Sequence, residues 1–422
     1  MRFLWKKILK KIGPGFVTGA ADDDPSGIAT YSIAGAKFGL GMSWLSVFLL
    51  PAMISIQEMC GRLGMVTGRG LASVIRKYSS KKVMWFAVLL LAFANTINIG
   101  ANLGIMASSL QMILGLPFFF WLFLVAMGIV ILEIWIPYRI YSETLKWLGG
   151  LLLVYVVTAF LVKPDWIEVA NATLVPRISW NIDYVMTLVA FLGTTISPYL
   201  FFWQTSQEVE EQILDNRSAI VDFNQKPEVT KGMIKKMRID TAIGMFFSNL
   251  MTFFIILTTA YTLNKNGIFE INGAEEAASA LKPLAGDFAY LLFTLGIVGI
   301  GLQAIPVLAG SIAYAFSEAL GLKEGLGKSF NKAKGFYLII ALSTMVGVLM
   351  NMLGINTMQA LYYSAVVNGI VAVPLIFIII RLADSEKVVG QFRTRSFQRI
   401  VAWLTFGFMA LSVILMFFNW GK

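Results

Sequence analysis

Gly13-Pro14-Gly15-Phe16-Val17-Thr18-Gly19-Ala20-Ala21-Asp22-Asp23-Asp24-Pro25-Ser26-Gly27 is an apolar stretch that ends in three consecutive aspartates, a proline and two small residues. With the residues that follow, to about Leu40, it is long enough to cross a bilayer. A charge at the centre of a membrane helix costs roughly 2.5–3.5 kcal/mol on insertion scales, so acids kept there point to function. Pro25 and Gly27 predict that the helix is interrupted where the acids lie. A broken helix carrying carboxylates at mid-membrane is a way to build a cation site in lipid.

The rest of the chain has the composition of a membrane protein. Of its 422 residues 57% are hydrophobic and 14% charged, with a mean hydropathy of +0.74; soluble domains carry about 25% charged residues. Apolar runs of span length recur throughout, and no soluble domain of useful size fits between them. They predict an all-α membrane protein with eleven transmembrane helices, at about 13–38, 42–63, 83–112, 117–137, 145–162, 185–211, 239–263, 286–319, 335–353, 358–381 and 398–419. Residues 1–12 are basic and amphipathic, lack a signal-peptide core, and read as a short interfacial helix. Residues 163–184 read as an outer loop, and 382–422 as an inner loop followed by the last span.

Charge distribution orients the chain. With the N-terminus inside, the inner segments 1–12, 62–82, 138–146, 212–238, 321–334 and 381–399 hold 28 of the 34 Lys+Arg residues. The positive-inside rule then places the N-terminus in the cytoplasm and the C-terminus outside a plasma membrane. The net charge of +10 is thereby a topology signal and a set of lipid-headgroup contacts, not a nucleic-acid surface. Trp5, Trp166, Trp180, Trp403 and Trp420 fall near span ends, as an interfacial belt requires. The single cysteine, Cys60, excludes an internal disulfide and reads as a buried, inert thiol. There is no histidine, so the usual side chain for proton relay and transition-metal ligation is missing. No nucleophile–base set and no nucleotide loop suggests an enzyme, and no cofactor or obligate protein partner is implied.

A second break stands five spans after the first, at Gly193-Thr194-Thr195-Ile196-Ser197-Pro198-Tyr199. Breaks in corresponding positions point to an inverted repeat, 13–162 followed by 185–381, with a binding site at the repeat interface. At a break several carbonyls lose their helical partners. Ala21 and Thr194, each three residues before a break centre, are placed to offer carbonyls, and Ser197 and Thr195 to offer hydroxyls. Asp24, immediately before the proline, is the expected direct ligand. Helical neighbours point about 100° apart, so Asp22 and Asp23 cannot share one ion with it and are expected to hold its water. Every candidate donor is oxygen, which suits Mg²⁺, Ca²⁺ or Mn²⁺. Glu208 and Glu211 share a helix face and are candidates for an inner vestibule, although the same pair suits a solvated helix end. Glu58 and Glu133 are expected to pair with Arg62 and Arg139.

These motifs resemble a known family. Gly13-Pro14-Gly15-Phe16 with Asp24-Pro25 is similar to the first span of the NRAMP divalent-metal transporters. So are Gln57-Glu58-Met59-Cys60-Gly61-Arg62-Leu63-Gly64 with Val66-Thr67-Gly68 and Leu71-Ala72, the stretch from Arg139 to Leu145, and Pro374-Leu375-Ile376. The resemblance covers essentially the whole chain and implies a LeuT-type fold, with a metal held between spans one and six. It departs at the site. The family's Asp-Pro-Gly-Asn is here Asp24-Pro25-Ser26-Gly27, so Gly27 replaces an asparagine ligand, and its Met-Pro-His is Ser197-Pro198-Tyr199. The tenth-span glutamine aligns with Ala365, the third-span acids with Asn102 and Ile105, and the second sixth-span histidine with Gln204.

The departures enlarge the cavity, remove the thioether and remove the proton path. They resemble the NRAMP-related magnesium transporter branch, and the resemblance implies uptake of partly hydrated Mg²⁺, and of Mn²⁺, by alternating access without a proton. A proton-coupled Mn²⁺/Fe²⁺ symporter, a sodium-coupled organic-solute carrier on the same fold, and a channel or metal sensor are the other readings.

Overall fold

The computed structural model describes residues 13–136, 150–214 and 227–419. The N-terminal basic segment with Trp5, the 139–145 motif and Trp420 lie outside the described residues. Helices are the only regular elements among the described residues, as hydrocarbon surroundings require of backbone that must pair within its own segment.

The first span is two helices, α1 (Pro14–Asp22) and α2 (Pro25–Phe38), each with proline in its first turn, where a missing N–H costs nothing. Then follow α3 (Leu50–Thr67), α4 (Leu71–Tyr78), α5 (Lys81–Leu114), α6 (Phe118–Trp135), α7 (Leu153–Leu161) and α8 (Trp166–Leu174). The sixth span is again two helices, α9 (Ile182–Thr195) and α10 (Pro198–Leu214). The remainder is α11 (Lys231–Thr262), α12 (Ala289–Leu320), α13 (Lys334–Met350), α14 (Thr357–Ala383) and α15 (Ser396–Asn419). Nine helical stretches among the described residues are long and apolar enough to cross a membrane. The α1–α2 pair lies within the first expected span, and α7 is the described part of the fifth.

Two boundaries differ from expectation. The expected loop 163–184 contains α8, nucleated by the Asp165 carboxylate, which accepts from the N–H groups of Ile167 and Glu168. It turns back by 120° from the helix before it. The seventh span begins at Lys231 rather than near 239, capped by Thr230. Its first turns carry Lys231, Lys235, Lys236 and Arg238, which a hydropathy reading trims although the backbone continues unbroken.

The broken spans form the interior. The apolar window of Ile182–Ile213 is 94% buried, whereas those of Phe118–Trp135 and Ser396–Asn419 are 22% and 28% buried and turn their apolar surface outward. Glycines allow the central helices to touch backbone to backbone. A Cβ on Gly19 of α1 would fall inside the backbone of Gly244 on α11, and one on Gly193 of α9 inside that of Ala365 and Gly369 on α14.

The start of α1 is held from α11 as well. Asp240 of α11 accepts from the N–H groups of Gly13 at 2.9 Å, Gly15 at 2.8 Å and Phe16 at 3.2 Å. It satisfies donors that a helix start leaves orphaned and sets a negative charge at the positive end of the dipole. The expected Glu58–Arg62 pair is present and fully buried, and Arg238 joins it at 3.0 Å. Glu133 is buried, and its expected partner Arg139 lies outside the described residues.

Gly244→Leu should abolish the folded, monodisperse protein in size-exclusion chromatography, because a branched side chain there has only backbone to displace. Gly128→Ala, with nothing within 4 Å of its Cβ position, should elute and melt as the parent does.

Candidate metal site at the helix breaks

Asp24 ends the gap between α1 and α2 and serves as N-cap of α2. Its Oδ1 accepts from Ser26 Oγ at 2.6 Å and from the Gly27 N–H at 2.9 Å. Its Oδ2 accepts from the side-chain amides of Asn98 at 3.0 Å and Asn102 at 3.1 Å, both on α5. Ser364 of α14 donates to Asn98 Oδ1 at 3.1 Å, so the third and tenth spans jointly orient this carboxylate. All four donors to Asp24 are neutral. The carboxylate is buried, and its charge is met by hydrogen bonds rather than by a basic side chain.

The two breaks face one another. Gly27 lies where an added Cβ would stand 3.1 Å from Thr194 Oγ1, a hydroxyl that is buried and has no hydrogen-bond partner. Tyr199, just after the sixth-span proline, donates to the Ala21 carbonyl at 2.8 Å. The hydroxyls of Tyr31 and Thr195 are 3.2 Å apart. Structure therefore brings Asp24, Ala21, Gly27, Thr194 and Ser197 to one region, with Tyr199 as the tie between the halves.

Several expectations need correction. The Ala21 carbonyl is not left open, since it accepts from Tyr199. The Thr194 carbonyl accepts from Ser197 Oγ at 2.8 Å, and the same hydroxyl lies 3.0 Å from Gly193 O. A dry helix end must find partners for its carbonyls, and a hydroxyl or phenol nearby supplies them. Each carbonyl keeps one further lone pair, and Ser197 keeps its acceptor capacity. Gly27 contributes its N–H to Asp24 and leaves room. Asp22 and Asp23, expected to hold water on the ion at Asp24, turn to another side than Asp24. Asp22 is the last residue of α1 and Asp23 its C-cap, and both carboxylates contact Ser248 of α11, at 2.8 and 3.1 Å. Among the described residues no group of three acids converges as a metal cage.

Glu208 and Glu211 line a cavity of about 50 Å³ at the Gly13 end of the bundle, together with Asp240, Lys236, Gln212 and Gly13. That is room for one or a few waters. Glu208 is not a solvated helix end: it is buried and accepts from Gln204 at 2.9 Å. At the opposite end a wider depression of about 750 Å³ is flanked by Glu275, Glu276 and Asp287. Sequence reasoning missed Asn98, Ser248 and Asn368. Asn368 is fully buried one turn after Ser364, and neither of its amide atoms has a partner. Polar residues inside otherwise apolar spans were the available signal.

A family model described as natural resistance-associated macrophage protein-like matches residues 15–419. A divalent metal cation transporter MntH of Caldanaerobacter subterraneus subsp. tengcongensis is 25% identical, across 96% of this chain and 92% of its own. One from Bacillus subtilis is 24% identical, across 95% and 90%. Among solved structures, the Eremococcus coleocola manganese transporter superposes with a TM-score of 0.74 at 16% identity, covering 98% of this chain and 86% of that one. Mhp1, a nucleobase-cation-symport-1 family transporter in a closed conformation, superposes with a TM-score of 0.60 at 14% identity, covering 96% and 90%. The fold is thus that of LeuT-type carriers, with its breaks in the first and sixth spans.

Tyr199→Phe removes the hydrogen bond to Ala21 and should lower stability by about 0.5–1.5 kcal/mol, read as a lowered thermal midpoint in detergent. An unchanged midpoint would show that the phenol does not tie the halves together.

Proposed function

The chain belongs to the natural resistance-associated macrophage protein-like family, and on that premise we propose that it is an alternating-access carrier of hard divalent cations, Mg²⁺ first and Mn²⁺ beside it, moved partly hydrated and without a coupled proton. The N-terminus is assigned to the cytoplasm and the protein to the plasma membrane, in keeping with the Lys+Arg distribution.

One observation carries the reading. The carboxylate at the first-span break is surrounded by neutral oxygen and amide groups, with no thioether and no imidazole among its contacts. Softer metals are favoured by sulfur and imidazole, whereas Mg²⁺ takes oxygen ligands and keeps several of its waters. Asp24, the free lone pairs of the Ala21 and Thr194 carbonyls, and the Ser197 hydroxyl form such an oxygen set. Gly27 leaves space where a longer side chain would replace a water. Asn98 and Asn102 occupy the place where an acid beside Asp24 would be able to take a proton. Glu208 and Glu211 then serve an inner vestibule on the release path.

Inward movement of a divalent ion needs no proton. An inside-negative potential supplies about 2.3 kcal/mol per charge per 100 mV, and roughly twice that for a doubly charged ion.

In liposomes loaded with a Mg²⁺ dye and a pH dye, an imposed inside-negative potential should drive Mg²⁺ uptake with no matching acidification. Stoichiometric acidification, or Fe²⁺ transport without Mg²⁺ transport, would overturn the proposal. Asp24→Asn should reduce uptake at least a hundredfold; its Oδ1 still accepts from Ser26 and Gly27 and caps α2, although its amide nitrogen no longer accepts from Asn98 and Asn102, so size-exclusion chromatography should confirm a monodisperse protein. Asp24→Ala is less informative because it strands the donors of Ser26, Gly27, Asn98 and Asn102. Asn102→Asp places a second carboxylate against Asp24 and should make uptake pH-dependent; a pH-independent Asn102→Asp would show that the third span does not control proton coupling.

A further inference from the structure

Asp22 and Asp23 are among the least accessible acids of the chain, at 0% and 1% exposure. Neither is in an ion pair among the described residues. Their one shared partner is the Ser248 hydroxyl, 2.8 Å from Asp22 Oδ2 and 3.1 Å from Asp23 Oδ1. A hydroxyl has a single proton and cannot fully satisfy two carboxylates. Asp22 Oδ1 and Asp23 Oδ2 have no partner.

Further oxygen surrounds the pair. Tyr31 of α2 lies within electrostatic reach of both acids and beside Thr252. Thr252 stands one helical turn beyond Ser248, on the same face of α11, fully buried and with its hydroxyl unbonded. Two uncompensated carboxylates in a dry interior are strongly unfavourable, and they repel one another. A doubly charged cation cancels both charges at once. It also meets the orphaned oxygens of Asp22, Asp23 and Thr252, whose all-oxygen chemistry is that of a hard ion.

We propose that Asp22, Asp23 and Ser248, with the hydroxyls of Tyr31 and Thr252, form a second divalent-cation site, separate from the one at Asp24. The two lie on opposite sides of the first-span break. Asp24 is turned to α5 through Asn98 and Asn102, and the pair is turned to α11 through Ser248. An ion at the pair joins the end of α1 to the seventh span across the break. The inference rests on the proposed function for the kind of ion, and on the orphaned oxygens for its place.

The test is the number of Mn²⁺ ions bound by the purified full-length protein, measured by equilibrium dialysis with free Mn²⁺ read by electron paramagnetic resonance. The parent protein should bind two. Asp24→Asn should keep one, and the Asp22→Asn/Asp23→Asn double variant should keep one. Ser248→Ala, which leaves both carboxylates in place, should weaken the second ion about tenfold and guards against misfolding of the double variant. If the parent binds a single Mn²⁺ that Asp24→Asn abolishes and Ser248→Ala leaves unchanged, the pair is neutralised by a proton and the inference is overturned, while the site at Asp24 stands. If the parent binds a single Mn²⁺ that survives Asp24→Asn and is weakened by Ser248→Ala, the second site stands and the assignment of Asp24 falls. No bound Mn²⁺ under conditions where the same protein carries Mn²⁺ into liposomes overturns the inference.

Discussion

Backbone polar groups have no water to turn to inside a bilayer, and this chain interrupts two of its helices there. Everything at the centre follows from how those interruptions are satisfied. The Asp24 carboxylate closes the start of α2 by accepting from Ser26 and Gly27. Ser197 closes the end of α9 by donating its one hydroxyl proton in that helix's last turn, to the Thr194 carbonyl with the Gly193 carbonyl beside it. Tyr199 reaches across to the Ala21 carbonyl and joins the two breaks. The residues that repair the backbone are therefore also those proposed to meet the cation.

Close helix contact fixes the remaining geometry. Gly15 and Gly19 bring α1 against Thr241 and Gly244 of α11, and Asp240 binds the first N–H groups of α1 from that helix. The seventh span thus holds α1 along its length, at its start through Asp240 and at its end through Ser248. On the other side of the break, α5 supplies Asn98 and Asn102 to Asp24, and α14 supports Asn98 through Ser364. The first-span break is suspended between these two walls. In carriers of this architecture one bundle rocks against the other around such a site.

The fold was legible in the sequence because its signals are local. Span length and the two proline breaks are read from contiguous residues. The α8 helix and the early start of α11 escaped because both lie where polar residues lower the hydropathy while capping by Asp165 and Thr230 sustains the helix. At the site, Asp24, Ala21, Gly27, Thr194 and Ser197 were singled out from the breaks themselves, and the structure places them at the two breaks. Their bonding was not, since Tyr199 and Ala21 are 178 positions apart and Asp22 and Ser248 are 226 apart.

The sequence by itself determined a helical membrane protein with two interrupted spans and an oxygen-rich, histidine-free centre, because composition and helix-breaking residues act at short range. Only the tertiary structure decided where three adjacent aspartates point. The helix ends at Asp22, and Pro25 holds Asp24 in extended backbone, so the carboxylates on the two sides of the break meet different neighbours. Here α11 offers a serine hydroxyl to the first two, and α5 offers two amides to the third. A run that reads as one acidic cluster is in space two separate groups with different partners.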